Sequence, residues 1–306
     1  MKVGLNGTVV DAREAVISVY DHGFLYGIGL FETFRTYGGK PYLLNCHLRR
    51  MNSGCQQLGI PFTMSGHEVE AWVHQLLMDN QLQDGYVRLT VSAGEGELGL
   101  PVDDYKQPTV LLLVKSLPGT SSGAARTEGR ELRLLATKRN TPEGSIRFKS
   151  LHYMNNIIAK RELEVLKRQD AHLPPKPVQV NGVEGLMLTE AGYLAEGIVS
   201  NLFFVKNGAL CTPSIATGIL PGITRGRVLE LADEAGLNCA EGMFSWQELI
   251  EADEVFMTNS IQEIVPVTLL TDTAGQSFKV SEGCTGYITK QLQEAYQADT
   301  KKNIIG

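Results

Sequence analysis

Paired cysteines in CxxC spacing are missing from this chain, and so are HxxxH and HExxH pairs of histidine. Its 5 cysteines, Cys46, Cys55, Cys211, Cys239 and Cys284, form an odd and scattered set, which predicts reduced structural thiols rather than a disulfide framework. The 6 histidines offer no metal-ligand spacing, so no metal site is expected. No apolar run approaches the ~20 residues that a membrane span needs. Basic excess is lacking too: a net charge of -6 and a pI near 5.6 speak against nucleic acid as a partner, which would want a basic face. The opening stretch, MKVGLNGTVV, has no apolar signal-peptide core. Together these absences predict a cytoplasmic protein without a metal, a membrane or a nucleic acid among its partners.

What is present describes an ordinary globular protein. A length of 306 residues, 43% of them hydrophobic and 20% charged, allows two domains or one large one with ample core. The least ordinary stretch is 188–225, LTEAGYLAEGIVSNLFFVKNGALCTPSIATGILPGITR. Glu196 ends a strand-like run there, just before the polar pair Ser200 and Asn201. A hairpin follows, its turn made by Asn207 and Gly208, residues that tolerate the positive φ such turns need. Gly222, Ile223 and Thr224 then lead into an apolar-periodic segment expected to be helical over 225–235. A glycine-then-threonine start presents unbonded backbone N–H groups at a helix N-terminus, which suits an anion.

Upstream lies Lys149 in SIRFKSLHYMNN, where period two puts Arg147 and Lys149 on one face of a short extended piece. Each feature alone has a plainer reading: a solvated lysine, a surface glutamate, a helix cap. Their combination is what pyridoxal phosphate requires. A lysine bonds its aldehyde, helix N–H groups hold its phosphate, and a carboxylate keeps its pyridine nitrogen protonated.

KSLHYMNN, LAEGIVSNLFF, GILPGITR and MTNSIQEIVPV, in that order, resemble the signature segments of the fold-type IV pyridoxal-phosphate enzymes over nearly the whole chain. That group holds branched-chain aminotransferases, D-amino-acid aminotransferases and 4-amino-4-deoxychorismate lyases, and this sequence is most similar to the lyases. The resemblance implies Lys149 as the catalytic lysine and Glu196 at the ring nitrogen. His47-Leu48-Arg49-Arg50 matches the family's HxxR, which implies Arg50 as a phosphate ligand, beside Ile223, Thr224 and Ser260, with Ser200 and Asn201 also at the cofactor. Arg147, Phe31, Thr33 and Tyr153 are the candidates for substrate contacts. The GGNY segment of the branched-chain enzymes is replaced by Ser150-Leu151-His152-Tyr153, and the RxH of the D-amino-acid enzymes by Ala93-Gly94-Glu95. Some lyases also carry arginine at the Ala93 position. The implied reaction is conversion of 4-amino-4-deoxychorismate to 4-aminobenzoate and pyruvate, in folate biosynthesis. The alternative is transamination of branched-chain or D-amino acids with 2-oxoglutarate. A homodimer is implied as well, with partner loops reaching the site.

The fold class expected is α+β. A small N-terminal domain would cover 1–118, a linker 119–130, and a large β-rich cofactor-binding domain with helices 131–306. The linker rests on the Gly- and Ser-rich run SLPGTSSGAARTEGR. Within the small domain, a hairpin is expected across Asn6-Gly7, a third strand over 15–19 and helices over 47–58 and 68–80. Further on, helices are expected over 150–167 and 283–296 and a proline-rich loop over 172–176. GEGELG, with Gly94, Gly96 and Gly99, is a literal GxGxxG after a strand. It fails as a dinucleotide site, because Pro101, Asp103 and Asp104 stand where a helix should begin.

Overall fold

The computed structural model describes residues 1–118, 129–170 and 176–305. The chain divides into two compact units. The first takes Met1–Pro118, Phe148–His152 and Asp299–Gly306; the second takes Gly119–Arg147 and Tyr153–Ala298.

In the first unit, β1 (Lys2–Leu5) and β2 (Thr8–Asp11) form the expected hairpin, with Asn6 and Gly7 both at positive φ. A one-turn helix, α1 (His22–Leu25), precedes the long strand β3 (Gly29–Tyr37) and its short partner β4 (Lys40–Pro41). Helices α2 (Leu44–Gln57) and α3 (Gly66–Asp79) follow, then β5 (Tyr86–Ser92) and β6 (Thr109–Lys115). The strands pair antiparallel in the order β2-β1-β6-β5-β3-β4. One face is covered by the helices: Leu48, Met51 and Cys55 of α2 and Val69, Trp72 and Leu76 of α3 pack on Leu30, Phe34, Leu89 and Leu112. Burying each such side chain is worth about 1.5–3 kcal/mol, so this face carries the unit's stability. The start of α3 is fixed by a capping box between Ser65 and Glu68.

Residues 15–19 pair with no strand among the described residues, and Val16, Ile17 and Val19 are exposed. Alternating β-branched residues signal strand propensity without supplying a partner. Gly94 has φ +80°, and a Cβ there would lie 1.8 Å from the Gln107 carbonyl oxygen. Close backbone approach, not phosphate binding, is what that glycine serves.

The second unit holds β7 (Arg130–Leu134), α4 (Met154–Asp170), β8 (Val183–Leu188), β9 (Leu194–Gly197), β10 (Asn201–Lys206) and β11 (Ala209–Pro213). It continues through α5 (Ile223–Glu234), β12 (Cys239–Gly242), α6 (Trp246–Ile250), β13 (Glu254–Asn259), β14 (Glu263–Thr271) and β15 (Ser277–Lys279). Helix α7 (Tyr287–Ile305) ends the described chain. The sheet is mixed, in the order β12-β11-β10-β13-β14-β7-β8-β9, with parallel pairs β11–β12, β14–β7 and β7–β8. Leu132, Leu186, Leu202, Phe204, Met257 and Leu270 form its core.

Several helix boundaries differ from expectation, three of them near the candidate site or the chain's last helix. Helix α4 begins at Met154 rather than 150, because residues 149–151 are drawn into sheet pairing with β3. Helix α5 begins two residues early, which puts Ile223 and Thr224 in its first turn with Gly222 as N-cap. Helix α7 begins at Tyr287, after Gly283 at φ +82° and Gly286. The expected linker falls largely on 119–128, outside the described residues, as does most of the loop expected over 172–176. Lys176 itself is described and pairs with Asp170 at 3.0 Å.

Candidate active site

Lys149 is carried by an extra length of sheet in the first unit. The Phe31 N–H donates to the Lys149 carbonyl (2.8 Å), the Leu151 N–H to the Gly29 carbonyl (3.0 Å), and Ser150 stands opposite Leu30. Strand alternation then decides where the side chains go. Phe148 packs against the helix-covered core, and Lys149 faces the other way, opposite Phe31. Lys149 Nζ lies 4.7 Å from the Phe31 ring centroid, and Arg88 Cζ lies 3.6 Å from the same centroid. Arg88 is opposite Thr33 in the β3–β5 register, so Phe31, Thr33, Arg88 and Lys149 share one face. That face continues into a cavity of about 310 Å³ lined by Ile17, Val19, Phe24, Thr90, Leu111 and Leu151.

Glu32 points to the opposite face, between Leu30 and Phe34, beneath α2. It is buried, and it accepts from Arg50 through Nε (2.8 Å) and Nη2 (2.7 Å) and from His47 Nδ1 (2.6 Å). Burial alone would raise the Glu32 carboxyl; Arg50 and His47 overcome this and hold it down at about 2. His47 is pushed down by its own burial, against the pull of Glu32, and so sits neutral with Nδ1–H donating.

The second unit presents Glu196 at the end of β9, only 5% exposed. Its Oε1 accepts from Arg139 Nε (2.8 Å); its Oε2 accepts from the Leu220 N–H (3.0 Å) and Asn201 Nδ2 (3.2 Å). Arg139 is held in turn by Asn155 Oδ1 (2.7 Å) and Asn140 Oδ1 (3.0 Å). Arg147, the candidate for a substrate carboxylate, donates to the Gly218 carbonyl (2.5 Å) and to Asn140, with its Nε 4.0 Å from Glu196. Burial first, and then Arg139, lower its guanidinium to about 10, which leaves it cationic at neutral pH. Its hydrogen bonds make it a brace for the loops around Glu196.

At the start of α5, Gly222 leaves the helix without a side-chain cap, and a Cβ there would fall 1.9 Å from Asn201 Oδ1. The Thr224 hydroxyl lies 3.4 Å from that of Ser260. Thr258, opposite Asn201 in the β10–β13 register, buries a hydroxyl that has no hydrogen-bond partner among the described residues. The first N–H groups of α5 and the hydroxyls of Thr224 and Ser260 are donors of the kind that an anion of the phosphate class requires. Ser200 is buried in the β9–β10 turn, with its hydroxyl 3.5 Å from Met257 Sδ, whereas Tyr153 is exposed at the start of α4.

Glu32, Arg88, Arg139 and Thr258 were not among the expected site residues. The first had a visible signal: an acidic residue in the core-facing slot of an apolar strand needs a buried cation. Arg88 alternates with Thr90 on the face opposite the core, so its side could have been inferred but not its neighbours. Nothing distinguished Arg139 within the polar run KRNTPEG.

Residues 29–270 match the amino-transferase class IV family, and the chain belongs to it. The fold is that of its fold-type IV neighbours, and it is an enzyme fold. The aminodeoxychorismate lyase of Bacillus subtilis is 41% identical over 303 residues, covering 98% of this chain and 95% of that protein. The 4-amino-4-deoxychorismate lyase of Pseudomonas aeruginosa superposes with a TM-score of 0.77 at 28% identity, over 97% of this chain and 98% of that one. A T.th. branched-chain amino acid aminotransferase solved with pyridoxamine 5'-phosphate gives a TM-score of 0.82 at 25% identity, over 99% and 94%.

Proposed function

We propose that this enzyme converts 4-amino-4-deoxychorismate to 4-aminobenzoate and pyruvate with pyridoxal phosphate as cofactor. The carrying observation is the 41% identity to a lyase of that name across 98% of the chain. The residues fit the cofactor. Lys149 is the amine on the open face of the first unit, Glu196 a buried carboxylate held by three donors, and the α5 N-terminus with Thr224 and Ser260 an anion cradle. When bound, pyridoxal phosphate supplies an aldehyde that bonds an amine and a ring that withdraws electrons from the carbon bearing that nitrogen.

The chain's residues do the rest. Glu196 would hold a proton on the ring nitrogen, its two oxygens fixed by Arg139, Asn201 and the Leu220 N–H. As a free amine, Lys149 would take the proton from the substrate carbon bearing nitrogen. Breaking the ring C–O bond, with that proton returned by Lys149 to the methylene of the departing enolpyruvyl group, would release pyruvate and leave an aromatic ring, which drives the step forward. Arg88, on the face of Phe31 and Lys149, is placed to hold a substrate carboxylate; Thr33 lines the same face, and Tyr153 remains a candidate contact. Arg50 and Ile223 complete the phosphate ligands, and Ser200 and Asn201 the cofactor site. Glu95 and Glu97, charges ill-suited to a dicarboxylate substrate, are exposed.

The enzyme acts as a cytoplasmic homodimer in this reading. Ile17 (47% exposed), Val19 (67%) and Phe24 (74%) line the cavity as exposed apolar side chains that suit a partner's coverage.

The test is stoichiometric. With 4-amino-4-deoxychorismate alone, 4-aminobenzoate and pyruvate should appear in equal amounts, and no keto acid should be needed. A second reading, amino-acid transamination, draws on the 0.82 TM-score to the branched-chain enzyme. No lyase turnover, with branched-chain or D-amino acids consumed once 2-oxoglutarate is added, would establish that reading instead.

A further inference from the structure

We infer that Glu32 and His47 are positioning residues for cofactor binding, acting through Arg50. The inference rests on the reading of Arg50 as a phosphate ligand. The geometry is a fixed chain of contacts within the first unit. His47 and Arg50 lie three residues apart on α2 and so face the same way, toward β3. Glu32 meets both from below, taking two parallel N–H donors from Arg50 and one from His47.

A long arginine side chain on a helix surface samples many rotamers, and ordering it at an anion costs entropy at the moment of binding. A carboxylate that grips Nε and Nη2 fixes the guanidinium plane in advance, so that the entropy is already lost in the empty enzyme. The pair also keeps the buried region neutral when no phosphate is present, because one cation meets one anion and His47 adds no charge. Glu32 in turn cannot swing away, since His47 Nδ1–H holds Oε2, the same oxygen that receives Arg50 Nη2.

A double-mutant cycle on cofactor affinity isolates this role. The readouts are the dissociation constant of pyridoxal 5'-phosphate, by fluorescence quenching, and the phosphorus resonance of the bound phosphate. Arg50→Ala should weaken affinity about tenfold or more, the loss of one charge-assisted contact. Glu32→Gln should weaken it about tenfold in the native background, shift the phosphorus resonance, and change neither in the Arg50→Ala background. His47→Gln gives a second, milder entry to the same cycle should Glu32→Gln fold poorly: a loss of about threefold that also disappears when Arg50 is alanine. Equal losses in both backgrounds, or no loss in the native one, overturn the inference and leave the phosphate reading standing. Unchanged affinity in Arg50→Ala removes the phosphate reading and the inference with it.

Discussion

At the residue scale, the chemistry converges on a few side chains whose partners fix their charge. Lys149→Ala should abolish both the cofactor's visible absorbance and turnover. Borohydride reduction followed by peptide mapping should place the label on Lys149, and label on Lys138 or Lys160 would contradict the assignment. Glu196→Gln should retain cofactor yet lose most activity, because an amide cannot hold the ring nitrogen protonated; near-normal turnover would break the pairing. Glu32 and His47 make a pH prediction. Glu32 falls from an ordinary 4.5 to about 2, so the stability it lends is full above 4.5 and disappears as pH drops toward 2. His47 is lowered from 6.5, so below 6.5 the unfolded chain takes a proton that the native state refuses. Both effects run in the same direction: stability declines with acid. His47→Asn should flatten the fall in melting temperature between about pH 6.5 and 5, where His47 rather than Glu32 changes protonation in the unfolded chain. An unchanged slope would show that His47 does not contribute.

At the scale of elements, helix α5 shows how much a start position matters. Apolar periodicity placed the helix at 225, but the cap geometry moves it to Ile223, and those two residues bring Thr224 into the first turn, where the proposed phosphate site needs it. Gly222→Ala should weaken cofactor affinity, since its Cβ would overlap Asn201 Oδ1, a residue that also binds Glu196. Retained affinity would mean the loop gives way easily. The hairpins at Asn6-Gly7 and Asn207-Gly208 and the capped helix α3 were legible in sequence because their determinants are local. The lysine-bearing segment was not legible as sheet. Its Leu151 fits the helical spacing of α4, and only pairing with β3, about 120 residues earlier in the chain, decides the matter. The same limit applies to Arg147, one of whose partners is the backbone carbonyl of Gly218, far along the chain, which no side-chain pattern announces.

At the scale of the whole molecule, family membership was readable from four segments, while the division of labour between the units was only partly so. The expectation of a contiguous small domain left out Phe148–His152 and Asp299–Gly306, both of which belong to the first unit. Tyr42 of the first stretch donates to Asp299, far along the chain.

That interleaving bears on how the gene can be cut. A polypeptide ending at Pro118 would carry β3 with a bare edge where residues 149–151 belong, leaving the Phe31 N–H and the Gly29 carbonyl unbonded. Such a fragment should be sticky and poorly soluble, and addition of a synthetic peptide spanning 146–154 should improve its behaviour by filling the vacant edge. Monomeric, stable 1–118 on its own would show that the edge tolerates water. Otherwise the two units are inseparable by simple truncation, and recombination among relatives would exchange them only with the lysine peptide carried along in the matching parent.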